Sequence, residues 1–177
     1  IVLDDPGDNL DRLAMVIHGV VSAARRQVDI MTPYFLPSRE LIAALQAARN
    51  RGVRVRIVLP AKNNLRMVQW AQTAQLWQLL EVGCRIWLSP PPFDHSKLLV
   101  IDDDWSLFGS ANWDPRSLRL NFELNLEVVG AQSVAVLLDH ARQRRRESKP
   151  LTLQEVDGRG LLTRIRDAVC WLFMPYL

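Results

Sequence analysis

His95-Ser96-Lys97-Leu98-Leu99-Val100-Ile101-Asp102-Asp103-Asp104-Trp105-Ser106-Leu107-Phe108-Gly109 decides the fold class. Two apolar runs, Lys97 to Ile101 and Trp105 to Gly109, flank three aspartates. Each run is too short for a helix, so the stretch predicts two strands joined by a turn at 102–104. Asn121 to Val129 predicts a third strand. It alternates cleanly, with Phe122, Leu124, Leu126 and Val128 on one side and Asn121, Glu123, Asn125 and Glu127 on the other. Short connections between such strands imply antiparallel pairs.

Upstream the pattern changes. Apolar strands at Val28–Met31, Val53–Leu59 and Cys84–Leu88 alternate with helical spacing. One helix carries Leu10, Leu13, Ile17, Val20, Val21 and Ala24. A second follows the N-cap candidate Ser38 and closes at Gly52, and a third spans 64–82 and closes at Gly83. Ser89-Pro90-Pro91-Pro92 is a loop. A later helix carries Val134, Leu137, Leu138 and Ala141. Residues 1–8 read as turn-rich, 147–157 as a linker, and a last helix runs from Gly160 towards Pro175. Alternation of helix and strand followed by strand runs predicts an α/β fold, a mixed sheet with helices on both faces. The expected organisation is one lobe over residues 1–150 and an amphipathic tail over 151–177, the tail a candidate for the membrane interface with Trp171 and Tyr176 at headgroup level.

Of 177 residues, 49% are apolar, enough for a core, and 22 basic against 19 acidic residues give a net charge of +3. That balance suits an anionic partner without selecting phosphate, phospholipid or nucleic acid. Two distant cysteines, Cys84 and Cys170, fit neither a metal site nor a disulfide framework. No metal or cofactor is expected. The chain begins at Ile1 rather than Met, so it is expected to be part of a longer protein in which an anchor could precede it.

The chemistry converges after Pro92. His95 opens a strand, and Lys97, two residues on, shares its face. Ser110 and Asn112 share parity at the end of the next strand, and Glu123 lies on a polar strand face within reach. Together these residues can handle a phosphate. Lys97, Ser110 and Asn112 would bind its non-bridging oxygens. Glu123 would take the Nδ1 proton of His95 and leave Nε2 free to attack phosphorus. Asp102 sits at a turn, where it either caps that turn or joins the site. Asp114-Pro115 reads as a helix start, and His18 and His140 as structural. The basic cluster Arg142, Arg144, Arg145, Arg146 and Lys149 either opposes a helix dipole or meets a membrane or nucleic acid.

His95-Ser96-Lys97-Leu98-Leu99-Val100-Ile101-Asp102 followed by Gly109-Ser110-Ala111-Asn112 resembles the signature of the phospholipase D superfamily. Residues 109–123, with Thr32-Pro33-Tyr34-Phe35-Leu36-Pro37, are similar to bacterial cardiolipin synthases, and the chain to their C-terminal catalytic lobe. The resemblance covers about residues 10–130. It implies one lobe of a two-lobed fold in which one lobe's His is the nucleophile and the other's the leaving-group acid. It assigns His95, Lys97, Asp102 and Glu123 to catalysis and Lys97, Ser110 and Asn112 to phosphate binding. It implies phosphatidyl transfer between phospholipids through a phosphohistidine, making cardiolipin from phosphatidylglycerol. It also implies an anionic membrane as partner, at the cytoplasmic side of a bacterial inner membrane. The chain has a single H-x-K, so a second such lobe must come from elsewhere in a longer chain or from a second copy. A homodimeric metal-independent phosphodiesterase or nuclease, phospholipase D hydrolysis, and a lobe that only binds are the alternatives. Nucleic acid is the less favoured partner, because no basic patch interleaved with aromatics surrounds the site.

Overall fold

The computed structural model describes residues 1–4, 11–119 and 121–173. In chain order the elements are β1 (Val2–Asp4), α1 (Arg12–Ala23), β2 (Gln27–Met31), α2 (Arg39–Asn50), β3 (Arg54–Pro60), α3 (Arg66–Glu81), β4 (Arg85–Ser89), β5 (Leu98–Ile101), β6 (Trp105–Gly109), α4 (Pro115–Arg119), β7 (Glu123–Val129), α5 (Ala131–Glu147), β8 (Lys149–Leu151), α6 (Leu153–Asp157) and α7 (Leu161–Leu172). Among the described residues the strands form one sheet in the order β1-β7-β6-β5-β2-β3-β4-β8. β2, β3 and β4 are parallel, as helical crossovers require. β5 pairs antiparallel with β2, β6 with β5 through the turn at 102–104, and β7 with β6 after a connection that holds α4.

Strand parity divides the core into two layers. Val28, Ile30, Val55, Ile57 and Leu59 face α1 and α2, where Leu13, Ile17, Leu41 and Leu45 cover them. Met31, Val58, Leu98 and Val100 face Val134, Leu138 and Ala141 of α5. Each buried Val or Leu contributes about 1.5–3 kcal/mol, so neither face is stable uncovered. The mixed sheet with helices on both faces is the architecture that the sequence predicts. Ser38 caps α2 through its side chain, which accepts from Leu41 N–H, and Gly52 leaves that helix at φ 92°.

α5 is fixed by charge as well as by packing. Asp29, buried on β2, takes Arg145 of α5 at 2.7 Å on one oxygen and Arg56 of β3 on the other. Arg145 also lies over the Trp87 ring at 5.5 Å. Part of the basic cluster therefore serves the fold: Arg145 binds Asp29 and Arg144 pairs with Asp94 at 2.9 Å.

Two segments differ from expectation. Residues 2–4 form a strand on β7, Leu3 opposite Leu124. Three residues show no periodicity, and their partner lies more than a hundred residues away. The expected linker at 147–157 holds β8, paired antiparallel with β4, and α6, opened by a reciprocal capping box of Thr152 and Glu155. Thr152-x-x-Glu155 is the local sign of that helix start. β8 thus carries the sheet across residue 150, and α7 packs on α3 through Cys170, Val68 and Ala71. Leu10, Pro175 and Tyr176 lie outside the described residues. Among the described residues no helix is long and apolar enough to cross a membrane.

Candidate active site

The site stands at one end of the sheet, where the loop after β4 enters β5. His95 lies in this loop and is exposed, and β5 proper begins at Leu98. Asp94 shapes the loop: its Oδ1 accepts the Ser96 N–H at 2.9 Å, and its Oδ2 meets Arg144. Burial works to raise the Asp94 carboxyl, but the Ser96 hydrogen bonds and the charges of Arg144 and His140 outweigh it and hold the pKa below its ordinary value. The rings of Tyr34 and Phe93 flank His95, each with its centroid at 5.8 Å, and the Tyr34 hydroxyl donates to Asn64 Oδ1 at 2.9 Å. Neither aromatic was singled out as a site residue. Tyr34 was signalled only within the Thr32–Pro37 segment.

Lys97 is buried and turned toward the imidazole. Its Nζ lies 2.7 Å from His95 Nδ1 and 3.3 Å from Nε2, and donates to His95 O at 2.8 Å. Burial lowers the Lys97 pKa, outweighing the carboxylates of Glu123, Asp114 and Asp94 that work to raise it. Burial and the Lys97 charge lower that of His95 against Asp94. The neutral imidazole favoured in this way is the form that attacks phosphorus or accepts a proton from a hydroxyl.

Across the sheet, Lys97 O accepts from Gly109 N–H at 3.3 Å, and Gly109 faces Asn125 in register. A Cβ on Gly109 would stand 2.3 Å from Leu124 O and 2.7 Å from Asn125 Cα, so only glycine fits. Buried Asn125 keeps an amide Nδ2 without a hydrogen-bond partner among the described residues. Its parity with Glu123 is visible in sequence, but its place in the same cross-strand row as Lys97 is not.

Ser110 follows β6 and is exposed. Its Oγ accepts the Leu124 N–H at 3.0 Å and donates to Glu123 Oε2, while Asn121 Nδ2 donates to Glu123 Oε1 at 3.2 Å. Glu123 therefore holds Ser110 and Asn121, and the atom against His95 Nδ1 is Lys97 Nζ. This corrects the expectation that Glu123 takes the Nδ1 proton: β7 lies two strands from β5, and the lysine is closer. Asn112 Nδ2 donates to Ser117 Oγ at 3.2 Å, while its Oδ1 is buried without a hydrogen-bond partner among the described residues. Asp114 caps α4, accepting Ser117 N–H at 2.8 Å, and burial raises its pKa, with the Glu123 charge adding to the rise.

Asp102 does not join this group, which corrects its expected catalytic role. It lies past the far end of β5, about 16 Å from Lys97 for five extended residues. Its carboxylate accepts the backbone N–H groups of Arg25, Arg26 and Gln27 at 3.1, 2.7 and 3.0 Å. Burial works to raise its pKa, but these bonds outweigh it and hold the group low. Its backbone sits at φ 56°, a turn conformation that Asp tolerates. Asp102 staples the loop before β2 to the β5–β6 turn.

The family model described as cardiolipin synthase, phospholipase D-like domain, matches residues 17–144. The chain is 32% identical over 170 residues to the probable cardiolipin synthase YwiE of Bacillus subtilis, covering 96% of this chain and 34% of that protein. It spans about a third of the length of the curated relatives it matches. Two solved structures share the fold. Nuc from Salmonella typhimurium, a phospholipase D family member, aligns with a TM-score of 0.72 at 19% identity over 85% of this chain and 97% of its own. Phosphatidylserine synthase of Haemophilus influenzae aligns with a TM-score of 0.77 at 18% identity over 99% of this chain and 47% of its own.

Proposed function

The chain belongs to the cardiolipin synthase, phospholipase D-like domain family, and from that premise we propose that it forms half of a site that transfers a phosphatidyl group between phospholipids, making cardiolipin from phosphatidylglycerol. The observation that carries this reading is the His95–Lys97 pair, an imidazole with an ammonium 2.7 Å away, beside the hydroxyl of Ser110. A nucleophile, a cation and neutral donors at one sheet end suit a phosphodiester.

The reaction has two steps. In the first, a neutral imidazole nitrogen bonds to phosphorus, the bond from phosphorus to the departing glycerol oxygen breaks, and the imidazolium of the second lobe gives that oxygen a proton. In the second, that imidazole takes the proton of the primary hydroxyl of another phosphatidylglycerol. The hydroxyl oxygen then bonds to phosphorus, and the phosphorus–nitrogen bond breaks. Cardiolipin and glycerol are the products. Lys97 would hold the non-bridging oxygens as charge builds, and Ser110 would add its hydroxyl once its proton turns from Glu123 to the phosphate, each such donor contributing about 100- to 1000-fold in rate. Asn112 would add its amide after release from Ser117. Glu123 acts on this site by holding Ser110.

The second lobe would be supplied by the rest of a longer chain, and the reading places both at the inner face of a bacterial inner membrane. A second copy is the other source, since Nuc, a family member matched over nearly its whole chain, is a single lobe in length. The test is cardiolipin formation from labelled phosphatidylglycerol by the complete protein. His95→Ala and Lys97→Ala should each lower kcat by at least about 1000-fold with the circular dichroism spectrum unchanged. Full activity in either variant would overturn the assignment.

A further inference from the structure

Helix α7 turns its apolar stripe outward. Leu161, Leu162, Ile165, Val169, Leu172 and Phe173 fall at the spacing of one helical face, and each is between 46% and 83% exposed. The inward face carries a buried charge beside the apolar contacts of Cys170 and Trp171. Asp167 is 1% exposed and ion-paired to both Arg159 and Arg166. Arg166 in turn lies 4.1 Å over the Trp70 ring of α3. Rotating α7 to bury its stripe would lift Arg166 off the Trp70 ring, bring the charge of Asp167 out of its buried place and pull Cys170 from its packing on Val68 and Ala71, so the outward orientation is held in place.

Three further observations say what covers this face. From Arg159 to Phe173 the segment has three arginines against one buried aspartate, and Arg164, loosely paired with Asp157 at 4.0 Å, stays exposed beside the stripe. A groove of about 390 Å³ between α3 and α7 has an apolar floor of Trp77, Leu161 and Ile165 and a rim of Asp157, Arg159 and Arg164, with arginine in excess. The stripe also leads to the site: the C-terminal turn of α7 packs on the first turns of α3, where Leu65 and Met67 are exposed. Leu65 and Val68 share a small cavity with Tyr34 and Asn112, and Tyr34 touches His95.

A second exposed apolar face borders the site from the other side, with Leu3, Phe122, Leu124 and Leu126 beside Ser110 and Glu123. β1 and β7 carry no basic residue, so that face suits a protein lobe. The cationic face of α7 suits a lipid surface, since apolar side chains flanked by arginine bind an anionic bilayer interface.

We propose that α7, with the first turn of α3, is the surface by which this lobe docks on an anionic phospholipid bilayer, its axis in the interface plane and His95 at the edge of the contact. The inference deepens the proposed function and rests on it only for expecting phospholipid beside the site. The test is flotation of the chain with vesicles of phosphatidylglycerol and phosphatidylcholine in equal parts, against phosphatidylcholine alone. Expected are binding at least tenfold tighter to the anionic vesicles, a tenfold or greater loss in the double variant Leu162→Glu with Leu172→Glu, and a several-fold loss in Arg164→Glu. All these positions are exposed, and a wild-type circular dichroism spectrum confirms the fold of each variant. Equal binding to both vesicle types overturns the proposal, as does no loss in the double variant. A doubled mass by light scattering that the double variant returns to a monomer overturns it too, because the face then covers a second copy. His95→Ala should float like wild type, so failure of the docking face and failure of the transfer reading are seen separately.

Discussion

Replacing Asp102 by Ala should destabilise the protein without touching catalysis. The carboxylate accepts three consecutive backbone N–H groups, those of Arg25, Arg26 and Gln27. A hydrogen bond to a charged acceptor is worth ~1.5–3 kcal/mol when buried. Arg25 and Arg26 are exposed, so solvent screening brings each bond to ~1 kcal/mol and the sum to ~3 kcal/mol. For a chain of this size that is a fall in Tm of about 6–12 °C. The sign with pH follows from the lowered pKa of Asp102. Its contribution is fully present above the unfolded carboxyl value of about 3.9 and is lost as pH falls through the lower folded value. Urea denaturation of wild type and Asp102→Ala from pH 7 to pH 2 should therefore show a gap that is constant above about pH 5 and closes in acid. In the complete protein, kcat measured below both melting ranges should stay within about threefold of wild type, since a staple about 16 Å from Lys97 touches no substrate. A variant as stable as wild type but inactive would refute the reasoning and return Asp102 to the active site.

Gly109→Ala should cost at least about 3 kcal/mol by urea denaturation, because the added Cβ meets the β7 backbone at Leu124 O. Asp29→Ala should cost about 3–5 kcal/mol by the same measurement, since Arg56 and Arg145 would be left facing each other with no anion between them. A loss under 1 kcal/mol would show that Asp29 does not hold α5. Burial pushes the Cys84 thiol up to about 12, so alkylation by iodoacetamide at pH 8 should leave Cys84 unmodified in folded protein, by mass spectrometry, and label it in urea.

The sheet and its layers were legible in the sequence because strand parity and helical spacing are local properties. Lys97–Ile101, Trp105–Gly109 and the alternation after Asn121 needed no long-range information, and the spacing that proposes His95, Lys97, Ser110 and Glu123 as site residues is equally local. The three-residue β1 was illegible, since a short strand is defined by its partner. The capping box before α6 was present in Thr152 and Glu155 but stood in a polar stretch that reads as linker.

By itself the sequence determined the longer strands and helices and which residues of phosphate-handling type share a strand face, since each depends on neighbours a few positions apart. Tertiary structure alone decided which of those residues meet. Lys97 takes the place at His95 that Glu123 was expected to fill, because β6 separates β5 from β7. Asp102 became a staple because β5 carries it to the opposite end of the sheet from His95. α7 faces outward because Arg166 finds the Trp70 ring and Cys170 finds Val68 and Ala71 on α3, and one helix's amphipathic pattern does not say which of its faces a neighbour will hold.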